Sequence, residues 1–594
     1  MSAHSPTLQE IRDFKGKYPK QLWYLFGTEM WERFCFYGLR GMLTVFMVTQ
    51  LDMGDKAANL QYGAIQAFVY AFTFIGGLFA DKILGFQKSL FWGASLMIVG
   101  GFVIALAPTD LFYVGICFNI IGTGFFKPNI STMVGQLYRD GDERRDAGFG
   151  LFYAGINLGA FLGGLLMVWI GKGYSWRVAF ALVGVVMIIS LINFAIRRRD
   201  FGPIGLSPLH PDMPASKRKG YEIAVYIGSL LTLPLIYKMV TNTAYTDLFM
   251  YIIGPLTLVY LAWEMRRFDR ASNMKLLGAL VFILFSILFW AFFEQSGGSL
   301  SLFALYNLNN DLLGVTVDPN SVNNSANSLF VIAFAAPLGL LWLWLHKRNA
   351  EPNSVVKFGL GFLLLGAAFY IFKSTFGFAD ANGVTSLEIF TLAYFVITFG
   401  ELCLSPIGLS LMTKLAPVSV HGLMMGMWFL ASAYGQYIAG LLGAGLATTG
   451  EYRITVEPAT DVVTSSPRTI AWQDTSANKA TFERMDIVVM TTEADTSKFT
   501  WKEIAANTTV QLNSTGDTVA WRSTEIANDG TETVALPASL VNRADADLSV
   551  APRPLERLKV YTDGYGQLGL YALIAGIVLI LISPFVRRLM REVN

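Results

Sequence analysis

Four ionisable residues, Glu29, Glu32, Arg33 and Arg40, sit inside an otherwise apolar and aromatic run from Leu22 to Val48. A run of that length can cross a bilayer, which needs roughly 20 apolar residues. Each ionised group at mid-membrane costs roughly 2.5 to 3.5 kcal/mol on an insertion scale, so four in one segment must face water or one another. Carboxylates held in such a place can take up and release protons, and guanidinium groups can hold anions. On a helix, Glu29, Glu32, Arg33, Tyr37 and Arg40 fall within one sector of about 140 degrees, with Cys35 and Gly38 on the other side. Snorkelling of a helix end is the alternative, but Arg40 lies about three turns beyond Glu29, too far for one interface to serve both.

Further charges lie in other apolar segments. Lys127 follows Phe125 and Phe126 and precedes Pro128, so its own neighbours cannot neutralise it. Glu294 comes one turn after Trp290, and Glu401 sits in Phe399-Gly-Glu-Leu-Cys-Leu-Ser-Pro406. Basic residues from the first half and acidic residues from the second suggest two ion pairs across a central cavity. A local hydrogen bond to helix backbone is the alternative for each acid, and Pro406 marks an expected kink. The histidines, His4, His210, His346 and His421, lie at the amino terminus or near loop ends, so a histidine relay in the membrane is not expected. Protons would then be carried by Glu29, Glu32, Glu294 and Glu401, with Arg33 inside the first cluster. Burial favours a protonated carboxyl and a nearby cation the ionised one, so relative motion of the two halves would switch proton affinity.

The scaffold that must position these groups follows from composition. The 594 residues are 53% hydrophobic, 14% aromatic and only 15% charged, which marks an integral, all-α membrane protein. Fourteen apolar segments of spanning length run from residues 22–49 to 567–587. Arg197, Arg198, Arg199, Lys217, Arg218 and Lys219 crowd one connection and Arg266, Arg267 and Arg270 the next alternate one, whereas residues 50–59 carry only Lys56. The positive-inside bias then puts both termini in the cytoplasm. The first twenty residues are polar, so no cleavable signal peptide is expected. Cys35, Cys117 and Cys403 all fall in apolar runs and offer neither a disulfide framework nor a metal site. The net charge of +2 identifies no partner, and no nucleic acid and no cofactor is expected.

Residues 450–559 do not suit a bilayer. They are polar, with short β-branched runs at Arg453–Val456, Thr469–Trp472, Ile487–Thr491, Thr508–Leu512 and Thr518–Trp521. A small β-rich domain is expected, with a disordered insert as the alternative. Its place between the thirteenth and fourteenth spans puts it on the extracellular or periplasmic side.

Four motifs carry a family resemblance. Glu29-Met-Trp-Glu32-Arg33-Phe34-Cys-Phe36-Tyr37-Gly38 resembles the first-helix signature of the proton-dependent oligopeptide transporters, within the major facilitator superfamily, with Phe36 where a tyrosine is usual. Gly122-Thr-Gly-Phe-Phe-Lys127-Pro128-Asn129 and Phe149-Gly-Leu-Phe152-Tyr153-Ala-Gly-Ile-Asn157 are similar to its fourth- and fifth-helix motifs. Gly77-x-x-x-Asp81-x-x-x-Gly85 resembles the superfamily loop between helices two and three, where Asp81 would help lock the cytoplasmic side or simply cap a helix.

The resemblance implies a major facilitator fold of two six-helix bundles plus two extra helices. The expected divisions are 1–200 for the first bundle, 201–272 for the linker with the extra helices, 273–449 for helices seven to eleven, 450–560 for the β-rich domain, and 561–594 for the last helix and tail. It implies alternating access, with di- and tripeptides entering together with protons across a plasma membrane, that of a bacterial inner membrane. It suggests pairing Arg40 with Glu294 and Lys127 with Glu401. Chemically, a peptide carboxylate suits Arg40 and Lys127, and its ammonium suits Glu401 with the amides of Asn157 and Asn327. The resemblance also implies that Tyr37, Tyr70, Trp290, Trp428, Phe429 and Ser432 surround the peptide, although each aromatic could equally pack between helices. Another small solute, such as nitrate or an amino acid, could use the same basic residues. A membrane-embedded hydrolase is disfavoured, because no His-Glu-x-x-His is present and Ser296-Gly-Gly-Ser299 has no histidine in an adjacent motif. No partner for the β-rich stretch can be named.

Overall fold

The computed structural model describes residues 5–51, 53–139, 141–210, 212–380, 382–417, 420–447 and 554–590, together with the backbone of eight short strands between Tyr452 and Ser549. His4 and the side chains of Pro406 and His421 lie outside the described residues, as do the side chains of the 450–553 stretch. The chain divides into two compact units, Met1–Leu446 with Tyr561–Asn594, and Ala447–Val560.

The first unit is helical. Its first half holds α1 (Leu8–Arg12), α2 (Lys20–Gln50), α3 (Asp55–Phe79), α4 (Phe86–Leu106), α5 (Phe112–Gln136), α6 (Arg144–Gly173) and α7 (Trp176–Arg197). Next come α8 (Ala215–Leu231), α9 (Leu233–Thr241) and α10 (Thr243–Met265). The second half holds α11 (Arg270–Phe293), α12 (Ser299–Asn307), α13 (Pro319–Lys347), α14 (Ser354–Ser374), α15 (Leu387–Leu415), α16 (His421–Leu446) and, mostly within this unit, α17 (Pro554–Met590). Eleven described helical stretches are long and apolar enough to cross a membrane. The sequence starts many of these helices with side-chain caps. Asp269, Asp318, Asn353 and Ser386 each accept from a backbone N–H of the first turn, and Pro319 after Asp318 needs no donor there.

Two close approaches set the site. A Cβ on Gly159 would fall 2.1 Å from the carbonyl oxygen of Met30, and one on Gly163 2.1 Å from that of Phe34. Only glycine lets α6 lie directly on the backbone of α2, which roofs Glu29 and Arg33. Between the halves, a Cβ on Gly63 of α3 would meet the Cα of Gly440 of α16 at 2.7 Å. Thr44 of α2 donates to the carbonyl of Gly297, 2.5 Å away, just before α12. Lys172 of α6 pairs with Asp318 and donates to Asn320 at 2.8 Å. The halves are therefore sealed together at the end where α2 and α6 finish and α13 begins. Asp81 lies inside a π-helical turn, Ala80–Leu84, rather than at a helix N-cap, and is exposed beside Lys82.

In the second unit the strands form two antiparallel sheets of four, ordered β10-β3-β4-β7 and β6-β5-β8-β9. They are β3 (Tyr452–Val456), β4 (Arg468–Asp474), β5 (Arg484–Met490), β6 (Lys502–Ile504), β7 (Thr509–Leu512), β8 (Thr518–Ile526), β9 (Glu532–Ala535) and β10 (Leu548–Ser549). The central pair of the second sheet runs from Arg484 opposite Thr524 to Met490 opposite Thr518. The remaining pair, β1 (Asp311–Leu312) and β2 (Val315–Thr316), is a hairpin joining α12 to α13.

Candidate functional site

A cavity of about 130 Å³ lies between the halves. From the first half it is lined by Tyr37, Arg40, Tyr70, Tyr153, Ile156 and Asn157, and from the second by Trp290, Phe293, Glu294, Ser296, Asn323, Asn324, Asn327, Ser328, Tyr394, Ile397 and Glu401. One end is ionic. Arg40 Nη2 donates to Glu294 Oε2 across the gap between α2 and the end of α11, and at 3.1 Å to Ser296 Oγ. Its Nε donates to Tyr62 Oη at 2.7 Å, and its guanidinium lies 5.8 Å from the Tyr37 ring centre. The Glu294 side chain is only 4% exposed and that of Arg40 11%, so the attraction acts with little water between them.

The other acid is held differently. Glu401 Oε2 accepts from Asn327 Nδ2 at 2.8 Å, and the same amide nitrogen donates to Thr398 Oγ1 at 3.1 Å. The expected Lys127–Glu401 pair does not form in this structure. Lys127 instead places its Nζ 4.2 Å from the ring centre of Tyr70 and 5.4 Å from that of Phe36, and its charge acts on Glu29, Glu32 and Arg33. A flexible lysine stem can turn toward two carboxylates on a neighbouring helix of its own bundle, whereas Glu401 already has a neutral amide partner.

Glu29, Glu32 and Arg33 form a buried ionic cluster within α2. Their residue exposures are 2%, 0% and 1%, and Arg33 Nε lies 3.0 Å from Glu29 Oε1 and also pairs with Glu32. With Lys127 the cluster holds two formal anions and two cations. Glu29 Oε2, Glu32 Oε1 and Arg33 Nη2 have no hydrogen-bond partner among the described residues. Uncompensated carboxylate oxygens this deep need a proton or a water. Phe36, where the resembling family has tyrosine, offers one ring to two cations, with Arg33 at 5.1 Å and Lys127 at 5.4 Å. A hydroxyl is not needed for that contact.

Trp428, Phe429 and Ser432 of α16 are not among the residues lining the cavity. The Trp428 ring packs where a Cβ on Gly408 would come, and Ser432 Oγ donates back to the Trp428 carbonyl at 3.4 Å. Sequence reasoning missed Tyr62, Tyr153, Asn323, Asn324 and Tyr394. Asn323 Nδ2 donates to the Ser296 carbonyl at 2.8 Å and its Oδ1 accepts from Tyr394 Oη at 2.6 Å, steadying the turn that carries Glu294. The signal was present: Asn320, Asn323, Asn324 and Asn327 recur at helical spacing in the polar opening turns of α13, an amide stripe down one face.

The chain is similar to known proteins over most of its length. The family described as "PTR2: POT family" matches residues 87–453. The peptide transporter YePEPT of Yersinia enterocolitica is 35% identical over 459 residues, 73% of this chain and 88% of that protein. The di-/tripeptide transporter of Lactococcus lactis is 34% identical over 445 residues, 71% of this chain and 88% of that protein. Among solved structures, a peptide transporter POT in complex with sulfate superposes with a TM-score of 0.69 at 26% identity, covering 99% of this chain and 100% of that one. A POT family transporter in complex with 5-aminolevulinic acid gives 0.65 at 29% identity, covering 74% and 93%. With its membrane-spanning helices and a match over more than half its length, this chain belongs to the POT family of multi-pass membrane transporters, proteins that move solutes rather than enzymes.

Proposed function

We infer that this protein imports di- and tripeptides together with protons by alternating access. The observation that carries this reading is the ion pair between Arg40 and Glu294, made across a cavity between two helical halves in a bilayer-spanning protein. An arginine at one end and a carboxylate with an amide partner at the other match the two ends of a zwitterion. The peptide carboxylate takes Arg40, with Lys127 turning in to assist. Its ammonium takes Glu401, with Asn157 and Asn327, while Tyr37, Tyr70 and Trp290 bound the side chains. The relatives named for di- and tripeptides favour peptides over nitrate or free amino acids.

Proton coupling is assigned to Glu29, Glu32 and Arg33, with Glu294 and Glu401 on the substrate side. A proton on Glu294 releases Arg40 to the peptide carboxylate, and the loosened latch lets the halves rock. The sealed end described above then alternates with the opposite mouth.

The same reading gives fourteen spans. To the eleven apolar stretches it adds α2, α5 and α16, whose 31, 25 and 26 residues each exceed 30 Å at about 1.5 Å per residue. These make two six-helix bundles, 1–200 and 273–449 with 561–594, and two extra spans within 201–272. Both termini are cytoplasmic and the protein sits in a bacterial inner membrane, with 450–560 as a β-rich domain on the outer side. The crowding of Arg and Lys between 197 and 219 supports that orientation.

The test is uptake of labelled alanyl-alanine into proteoliposomes under an imposed inward proton gradient, beside Glu294→Gln. Gradient-driven accumulation in the native protein and its loss in the variant are expected. Uptake that ignores the gradient removes the coupling, and competition by nitrate or amino acids but not by dipeptides reassigns the substrate.

A further inference from the structure

Away from the cavity, α4, the end of α7 and α8 enclose a second recess of about 330 Å³, lined by Lys88, Phe91, Trp92, Arg198, Glu222 and Tyr226 together with Ser95. Its walls are built. The rings of Trp92 and Tyr226 pack at a tilt of 39° with centres 4.7 Å apart, and Trp92 Nε1 donates to Ser229 Oγ at 3.0 Å. Arg198 is held over Phe91, 5.3 Å from its ring centre, by an Nε donation to Gln87 Oε1 at 2.8 Å. Lys88 pairs with Glu222, so the recess has two cations against one anion. Among the described residues nothing accepts from the two terminal nitrogens of Arg198. They form a planar pair of donors, the geometry that fits two oxygens of one phosphate.

Position identifies the source of the phosphate. Lys88 and Ser95 lie in the first three turns of α4, and Arg198 is the residue just after α7, so the recess sits at the depth where a helix enters the bilayer. Aromatic rings gather at that level, where one side is apolar and the other wet. The neighbouring connection adds Arg197, Arg199, Lys217, Arg218 and Lys219, and Ile223 and Ile227 on α8 are about half exposed, a wall for acyl chains. We propose that this recess binds the head group of an anionic phospholipid, with phosphate on Arg198 and glycerol and acyl chains along Trp92, Tyr226 and α8. The lipid completes the joint between α8 and the first bundle, and the site is independent of what the transporter carries.

The experiment reconstitutes the full chain in phosphatidylcholine vesicles containing phosphatidylglycerol, with bromine on the acyl chains of one lipid or the other. The fluorescence of Trp92 is taken as the difference between the native protein and Trp92→Phe. At equal bromine content, brominated phosphatidylglycerol is expected to be enriched at Trp92 by about fivefold, the scale of one basic residue acting on an anionic lipid. Arg198→Gln removes the preference and Glu222→Gln, which unmasks Lys88, raises it. Opposite changes in the two variants separate recognition from general damage to the fold. Equal quenching by the two lipids, or a preference unchanged in both variants, overturns the proposal. Abolition of the preference by millimolar inorganic phosphate also overturns it and makes the recess a site for soluble anions.

Discussion

The two ionic sites of α2 differ in what they join. Glu29, Glu32, Arg33 and Lys127 belong to α2 and α5 of one half, closed over by the glycines of α6. Arg40, three turns further on, reaches across to Glu294 of the other half. Charges within one rigid body keep their partners when the halves move, whereas a bond between bodies must break. In the mechanism proposed above the cluster stores charge and the cross-cavity pair latches, so substitutions at the two should fail in different ways.

The largest effect is expected from Arg33→Ala. It leaves two fully buried carboxylates with only Lys127 for compensation, and an orphaned buried charge costs about 3 to 5 kcal/mol. Thermal unfolding in detergent should drop by many degrees and uptake should vanish, with Arg33→Lys recovering part of both. A normal melting temperature in Arg33→Ala would mean that the cluster is already protonated or hydrated, and the contrast with the latch would weaken.

Glu294→Gln should spare the fold, since Arg40 keeps Ser296 and Tyr62 and the new amide can accept a hydrogen bond. Gradient-driven accumulation should fall by at least about tenfold, equivalent to roughly 1.4 kcal/mol of lost coupling, while exchange of internal for external dipeptide persists. A parallel loss of exchange would show that Glu294 serves substrate binding as much as latching.

How much of this could be read from the chain depends on what kind of rule each residue breaks. Glu29, Glu32, Arg33, Arg40, Glu294 and Glu401 stand out because charge in an apolar run violates hydropathy. Tyr62 does not, being ordinary in an apolar helix, and its value lies wholly in reaching Arg40 in space, whereas Asn323 was legible only as one member of the amide stripe on α13. Lys127 shows the limit from the other side. Its place in an apolar run was legible, but the direction of a flexible four-carbon stem was not, and Glu401 turned out to rest on Asn327. The five β-branched runs named after residue 450 overlap β3, β4, β5, β7 and β8, because alternation and turn residues are local signals, whereas β6, β9 and β10 carried no such run.

The seal between α6 and α13 gives an intermediate test. Lys172 and Asp318 join α6 to α13 with side chains 22% and 16% exposed, so the pair is partly screened. Lys172→Ala and Asp318→Asn should each bias the halves toward opening at that end, seen as faster labelling of a cysteine placed at Trp169, which with Lys172 and Asp318 lines a separate recess of about 450 Å³. If the pair acts as a second latch, the double variant should label no faster than either single one. Additive rates would instead assign the effect to general loosening of the helix ends.

The smallest effect is expected at Tyr62, where the hydroxyl accepts from Arg40 Nε at 2.7 Å. Tyr62→Phe removes that acceptor without changing shape, and a single hydrogen bond whose donor keeps other partners is worth about 0.5 to 1.5 kcal/mol net. Arg40 retains Glu294 and Ser296, so the loss should fall at the low end and appear as weaker dipeptide binding at an unchanged proton dependence. The comparison between latch and store turns on that separation. If Tyr62→Phe shifts the pH profile of uptake as well, the guanidinium position and the proton sites are coupled across α2, and the two ionic sites act as one.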